Sequence, residues 1–223
     1  MELAQLAVFV RPPAIGTVKT RLQSALGDRG AAALYAAFVE DTLELCARVR
    51  AAGRVDVELW ASSIDDEAVI EWGRRLGVVP RLQPDGDLGV RLSAAFDEGL
   101  RRYERVVIIG TDLPTLPLGL IAEAFDELDR APMALGPTHD GGYYAIGATH
   151  RIRPRFQGVR WSTPNALADT LRANDDLEIG LLSPWYDIDE PSDLDILRAH
   201  LSTRPKAAPA TARCLAELAA AQR

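Results

Sequence analysis

The residues best placed to do chemistry in this chain are carboxylates that follow short apolar runs. Asp112 closes Val106-Val107-Ile108-Ile109-Gly110-Thr111-Asp112-Leu113-Pro114. The run is apolar and rich in β-branched residues, which predicts a strand buried on both faces. A carboxylate at the carboxyl end of such a strand lies where open α/β sheets bind ligands. Desolvated there it is costly unless compensated, and a hard cation carrying phosphates would compensate it. The plainer alternative is a turn former or helix cap beside Pro114 and Pro117. Asp187 and Asp189 stand two apart in Asp187-Ile188-Asp189-Glu190-Pro191. On extended backbone they share a face and could hold one cation together with Asp112. Asp193 is placed to support the start of the following helix. In Gly136-Pro137-Thr138-His139-Asp140-Gly141-Gly142-Tyr143-Tyr144, the Asp-Gly step predicts a hairpin turn. Asp140 or His139 could also point into the mouth beside Asp112, as a general base or an acceptor-hydroxyl contact.

Cations form the second group. The loop Arg11-Pro12-Pro13-Ala14-Ile15-Gly16-Thr17-Val18-Lys19-Thr20-Arg21-Leu22 follows the first apolar run. Its glycine would let backbone N–H groups approach an anion that Arg11, Lys19 and Arg21 neutralise. Lys19 and Lys206 are the only lysines in an arginine-rich chain, so an ammonium at position 19 is a weak sign that a compact point charge is wanted. The loop is not a Walker A motif, because Thr17-Val18 separates Gly16 from Lys19. Arg91, in the first turn after Asp85-Gly86-Asp87-Leu88-Gly89, could contact a base, a ribose or a phosphate, or simply sit on the surface of a capped helix.

Alternating elements must position these groups. Strands are expected at Leu6 to Val10, Val55 to Ala61, Val78 to Leu82 and Val106 to Ile109. Helices are expected between them, at about Arg29 to Arg50, Asp65 to Leu76, Gly89 to Tyr103 and Leu118 to Asp129. That order calls for a mainly parallel sheet with helices on both faces. A hairpin of Met133 to Gly136 and Gly142 to Ala148 follows, then a helix opened by Trp161-Ser162-Thr163-Pro164. A strand at Leu177 to Leu182 and a helix at Ser192 to His200 complete an expected domain of residues 1–201. Ser202 to Pro209 reads as a linker and Thr211 to Gln222 as a short terminal helix that could pack on a partner subunit.

The composition narrows the class. A chain of 223 residues, 48% hydrophobic, can bury one sizeable core. A net charge of −7 argues against nonspecific nucleic-acid binding. Two distant cysteines, Cys46 and Cys214, give no disulfide framework or zinc spacing, which fits a cytoplasmic protein. No signal peptide is expected from the first residues, and no apolar stretch approaches the roughly 20 residues that span a bilayer.

The loop at residues 9–22, Gly110-Thr111-Asp112-Leu113-Pro114, Gly136-Pro137-x-x-Asp140-Gly141-Gly142-Tyr143-Tyr144, Trp161-Ser162-Thr163-Pro164 and Asp187-Ile188-Asp189-Glu190-Pro191-x-Asp193-Leu194 together resemble one bacterial family. It is the glycosyltransferase family associated with radical-SAM and selenodomain proteins, or with arsenosugar biosynthesis. The resemblance covers about residues 4–200 and extends to the nucleotide-diphospho-sugar transferase superfamily. It implies a Rossmann-like, GT-A-type fold, a nucleotide-sugar or NTP donor and a small-molecule acceptor. It also implies a Mg²⁺ or Mn²⁺ ion, with Asp112 matching the family's metal-binding aspartate and Asp189 completing the site. The first loop departs from the superfamily's usual Gly-Gly-x-Ser/Gly-x-Arg-Met.

Residues and resemblance together predict nucleotide or phosphate contacts at Arg11, Gly16, Lys19, Arg21, Arg91 and Thr111. They predict metal ligands at Asp112 and Asp189, and catalytic roles for Asp112, Asp140 and Lys19, with Asp140 activating the acceptor. Glycosyl transfer is the leading expectation. Nucleotidyl transfer shares nearly all these residues, and a non-catalytic nucleotide-binding protein is the rival from another class.

Overall fold

The computed structural model describes residues 4–53 and 55–221. The N-terminal half builds a parallel sheet by alternation: β1 (Ala4–Val10), α1 (Gln23–Ala51), β2 (Val55–Ala61), α2 (Glu67–Leu76), β3 (Arg81–Leu82), α3 (Leu88–Gly99), β4 (Arg105–Ile109) and α4 (Leu118–Glu127). The hairpin β5 (Met133–Pro137) and β6 (Tyr143–Thr149) comes next, then α5 (Ala166–Ala173), β7 (Ile179–Leu181), α6 (Asp193–Thr203) and α7 (Pro209–Ala221). The seven strands lie in the order β3-β2-β1-β4-β6-β5-β7. β6 pairs antiparallel with both β4 and β5, and all other pairings are parallel. This is the expected α/β, GT-A-like architecture with its late hairpin.

Side-chain alternation explains the layers. Leu6, Val8 and Val10 of β1 pack on one face with α1, α2 and α4, while Ala7 points to the other face with residues of α3 and Met133, Leu135 and Ile146 of the hairpin. Strands covered on both faces are mostly apolar, which is why residues 6–10 of β1 and 106–109 of β4 read as unbroken hydrophobic runs.

The order of the sheet fixes where a ligand can sit. From β1 the chain winds through β2 to β3 on one side, and β4 starts the other side. The carboxyl ends of β1 and β4 therefore flank a topological switch point, where neighbouring connections diverge and leave a crevice. Arg11 follows β1 and Thr111-Asp112 follow β4, so both groups stand at that crevice.

Several boundaries differ from expectation for local reasons. A 3₁₀ turn at Thr20–Leu22 leads into α1 at Gln23, but Gly27 (φ 69°, ψ 167°) breaks the helix, so the expected start near Arg29 marks the continuous part of α1. β3 is two residues long rather than five: Gly77 ends α2 in the left-handed region, and Pro80 cannot donate to a ladder. α5 starts at Ala166, two residues beyond Pro164. β7 is confined to Ile179–Leu181.

The expected linker at Ser202 to Pro209 is instead structured. α6 continues to Thr203, a 3₁₀ turn spans Pro205–Ala207, and Ala208 is fully buried. α7 then returns to α1 of the same chain, with Leu215 and Leu218 packed on the cluster of Leu34, Phe38, Leu197 and Leu201. Buried Asp41 accepts the N–H groups of Ala210 (2.9 Å) and Thr211 (2.8 Å) at the start of α7. No helix among the described residues is long and apolar enough to cross a membrane.

Candidate functional site

A cleft of about 660 Å³ opens at the β1/β4 switch point. Its walls bring together stretches separated by up to 180 residues: Arg11 and Thr17 to Arg21, Gln83 and Arg91, Gly110 to Asp112, Asp140 with Tyr143, Ser162 to Pro164, and Asp189. Its volume falls in the range usual for small-molecule and cofactor sites.

Lys19 is the centre of the polar side. Its Nζ lies 2.5 Å from Asp112 Oδ1 and 2.6 Å from Asp189 Oδ1, and its side chain is 4% exposed. The two carboxylates remain 45% and 38% exposed, so they face the cleft while the ammonium lies beneath them. Burial pulls the ammonium's pKa down, but Asp112 and Asp189 outweigh it and hold it above the ordinary lysine value. Lys19 also lies 5.7 Å from the centre of the Phe38 ring. Its backbone is left-handed (φ 46°), a conformation unusual for a residue with a side chain and often found at functional sites.

This arrangement corrects the expectation for Lys19. It does not reach out freely from the loop. It is a buried tie between two distant aspartates, and Asp112 and Asp189 meet through it. Gly16 departs from expectation too: its φ of +83° serves the turn in which Thr17 N–H donates to Ala14 C=O, and this loop lines the cleft with Arg11 and Thr17 to Arg21 but not with Gly16.

The acidic residues that approach one another most openly are Asp140, Asp187 and Asp189. Each offers a carboxylate oxygen within 4.8 Å of the others. Burial, then the charges of Asp140 and Asp189, push the Asp187 carboxyl up to about 7. Three carboxylates at this spacing are an oxygen donor set that fits a hard divalent cation. Asp112 lies across Lys19 from this trio rather than within it. The sequence shows Asp187 sharing a face with Asp189, but nothing in it singles out Asp187 as the more perturbed of the two.

Backbone fastenings hold the two halves in place. Ile188 N–H donates to Asp112 C=O (3.0 Å), joining the β4 loop to the stretch that carries Asp187 and Asp189. Trp185 Nε1 donates to Thr115 Oγ1 (3.3 Å), and that hydroxyl donates to Tyr186 Oη (2.8 Å). Asp193 accepts the N–H groups of Asp189 (2.9 Å) and Glu190 (2.7 Å), so it shapes the turn presenting Asp189 as well as sitting in the first turn of α6. On the β1 side, Tyr35 Oη accepts from Arg11 N–H (3.0 Å) and shares a hydrogen bond with Thr111 Oγ1 (3.1 Å). Burial, then the Asp112 charge, raise the Tyr35 hydroxyl pKa and keep it neutral. Thr111 is thus a buried strut in the cleft wall, and Tyr35 is a site residue that sequence periodicity could only assign to a helix core.

The remaining expected cations line the cleft differently. Arg11 is exposed at its rim. Arg21 pairs with Glu190 at 3.1 Å, both exposed, so a ligand could displace the pair at small cost. Arg91 donates to Gln83 Oε1 (3.3 Å), while its Nε is buried with no partner among the described residues. Gln83, missed in the sequence, is locked by its amide group to the carbonyls of Trp60 (2.7 Å) and Val10 (3.3 Å). Asp140 faces the cleft from the hairpin turn, accepting from Thr138 Oγ1 (2.5 Å) and Gly142 N–H (2.9 Å). His139 is exposed and outside the lining.

A family model described as "Uncharacterized protein conserved in bacteria (DUF2064)" matches residues 42–163, a stretch that includes Asp112 and Asp140. The chain belongs to that family. It is similar to a crystal structure from Desulfovibrio desulfuricans G20 provisionally named a nucleotide-diphospho-sugar transferase, with 30% identity, TM-score 0.88, and coverage of 99% of this chain and 96% of that one. It is also similar to 2-phospho-L-lactate guanylyltransferase of Methanothermobacter thermautotrophicus, 29% identical over 144 residues. That match takes in 64% of this chain and 60% of the guanylyltransferase, so it spans less than two thirds of that relative. The 4-diphosphocytidyl-2C-methyl-D-erythritol synthase of Anaerococcus prevotii DSM 20548 shares the fold alone, at 10% identity and TM-score 0.55, over 90% of this chain and 99% of that one. The expected superfamily is therefore upheld, while the narrower radical-SAM, selenodomain or arsenosugar association is not carried by these matches.

Proposed function

We propose that this DUF2064 member is a divalent-cation-dependent transferase with a nucleotide donor, and that the group it transfers is a nucleotidyl group. The observation that carries the reading is the convergence, at one switch-point cleft, of the carboxylates of Asp112, Asp140 and Asp189 with Arg11, Arg21 and Arg91, with Asp187 grouped beside Asp140 and Asp189. That combination suits a polyphosphate, which needs both hard-cation ligands and direct positive charge. The guanylyltransferase relative favours the nucleotidyl branch.

Asp140, Asp187 and Asp189 would hold Mg²⁺ or Mn²⁺, which supplies charge neutralisation on the donor's phosphates. Lys19 fixes Asp112 and Asp189 in place, so the carboxylates need no reorganisation when the donor binds. Arg11 and Arg21 approach the donor from the β1 loop, and Arg91 offers its guanidinium from α3. In nucleotidyl transfer an acceptor phosphate oxygen attacks the α-phosphorus, the bond to the β-phosphate oxygen breaks and pyrophosphate leaves. An ionised acceptor phosphate needs no strong base.

Glycosyl transfer is the second reading, favoured by the nucleotide-diphospho-sugar name of the structure that matches nearly the whole chain. Here Asp140 would take the proton of an acceptor hydroxyl, and a nucleoside diphosphate would leave. Incubating the protein and Mn²⁺ with NTPs and phosphorylated acceptors, or with nucleotide sugars and hydroxylic acceptors, separates the branches. Pyrophosphate release is expected. Release of a nucleoside diphosphate instead would move the assignment to glycosyl transfer, and failure of every nucleotide to bind would overturn both.

A further inference from the structure

Asp169 lies on α5, outside the cleft, yet it is among the most heavily hydrogen-bonded carboxylates in the chain. Only 4% exposed, it accepts from Arg160 N–H (3.1 Å), Arg160 Nε (2.8 Å), Arg160 Nη2 (3.0 Å) and Arg172 Nη1 (2.8 Å). A two-pronged arginine bond plus a bond from that arginine's own backbone fixes the orientation of residue 160 as well as its charge. Two residues beyond Arg160 the chain enters the cleft wall, Ser162-Thr163-Pro164. Ser162 is held in the left-handed region (φ 57°), and Thr163 Oγ1 donates back to Arg160 C=O (2.8 Å). A non-glycine residue persists at such a φ only when its surroundings over-determine it.

This wall is joined to the hairpin turn that carries Asp140. Leu167 N–H donates to Gly141 C=O (3.0 Å), and a Cβ at Gly141 would lie 2.1 Å from Pro164 O. One turn further along α5, Thr170 Oγ1 meets Tyr143 Oη at 3.4 Å. The contacts therefore run from Asp169 through Arg160 and the 160–165 wall to Gly141, and so to Asp140.

We infer that the Asp169–Arg160 pair is a positioning clamp that sets Asp140 within the carboxylate trio and shapes the 160–165 wall of the cleft. The inference rests on reading that trio as a cation site. Neither residue touches the reacting groups, and both act through the wall and the turn.

The clamp is tested by hydrogen exchange and Mn²⁺ titration on the full chain, comparing wild type with Asp169→Asn, Arg160→Lys and, as a surface ion-pair control, Asp176→Asn. Asp169→Asn is expected to speed amide exchange in residues 138–145 as well as in 160–168, and to weaken Mn²⁺ binding about tenfold or more. Arg160→Lys keeps charge but not the fork, and should fall between wild type and Asp169→Asn on both readouts. Asp176→Asn, which removes the exposed Arg155 pair, should change neither. Faster exchange confined to 160–168, with 138–145 unchanged, overturns the clamp. The exchange readout needs no metal, so wild-type protein that fails to bind Mn²⁺ would count against the cation site while leaving the clamp decided. Should Asp169→Asn fail to fold, the same two peptides in Arg160→Lys decide it.

Discussion

At the scale of single residues, the account turns on Lys19 and Asp187. A buried ammonium between two half-exposed carboxylates is costly to remove, because its loss leaves two like charges facing each other. Lys19→Met is expected to lower turnover by about 100-fold or more, the magnitude seen when a preorganised electrostatic group is lost, in steady-state assays of the assigned reaction. Retention of wild-type kcat would remove Lys19 from the mechanism. Asp187 gives a pH prediction. In an unfolded chain its carboxyl ionises near ~3.9, and in the fold at about 7. A raised carboxyl favours the folded state fully below the unfolded value, and that contribution is lost as pH rises through 7. Cation binding demands the ionised form, so Mn²⁺ affinity should fall roughly tenfold per unit as pH drops below 7 and level off above it. Calorimetric titration across that range checks this, and Asp187→Asn should flatten the slope. The rarity of lysine made Lys19 legible as special. Its partners were not legible, because a left-handed backbone and contacts across 170 residues decide where the ammonium goes.

At the scale of elements, two joints carry the site and the terminus. The hairpin turn needs glycine at 141 twice over: its φ is +86°, and the space where a Cβ would go is filled by the Pro164 carbonyl. Gly141→Ala is expected to cost about 2–4 kcal/mol in urea unfolding, more than a positive φ alone would explain. A cost near zero would mean that the turn and the 160–165 wall separate easily. The Asp-Gly step made this hairpin legible from the sequence, whereas the wall that packs on it was not, since backbone-to-backbone contact leaves no periodic signature. α7 shows the same asymmetry. Residues 202–209 look like a linker because proline and alanine break any pattern, yet Asp41, far away on α1, takes the first N–H groups of α7. Asp41→Ala should destabilise that end by about 1–2 kcal/mol. The matching observation is faster amide exchange across residues 209–221 with the sheet unaffected.

At the scale of the whole molecule, alternation of apolar strands with amphipathic helices made the parallel half of the sheet legible. The insertion of β6 between β4 and β5 was not, because strand order depends on which edges remain free once the first four strands have paired. That order matters for function. It puts the carboxyl ends of β1 and β4 side by side at the point of divergence, and it lets an antiparallel hairpin deliver Asp140 to the same cleft. The carboxylates and cations singled out in the sequence converge for this reason, even though Lys19 turned out to tie aspartates together and Gly16 to shape a turn. The central claim is that this cleft holds a nucleotide's phosphates on a divalent cation. Its most direct test is a crystal structure with Mn²⁺ and a nucleoside triphosphate, recorded for anomalous scattering at the manganese edge. The account predicts an anomalous peak among Asp140, Asp187 and Asp189, with the phosphates between that peak and the arginines of the β1 loop. A nucleotide bound in the cleft with manganese elsewhere, or a nucleotide seated away from the β1/β4 crevice, would contradict it.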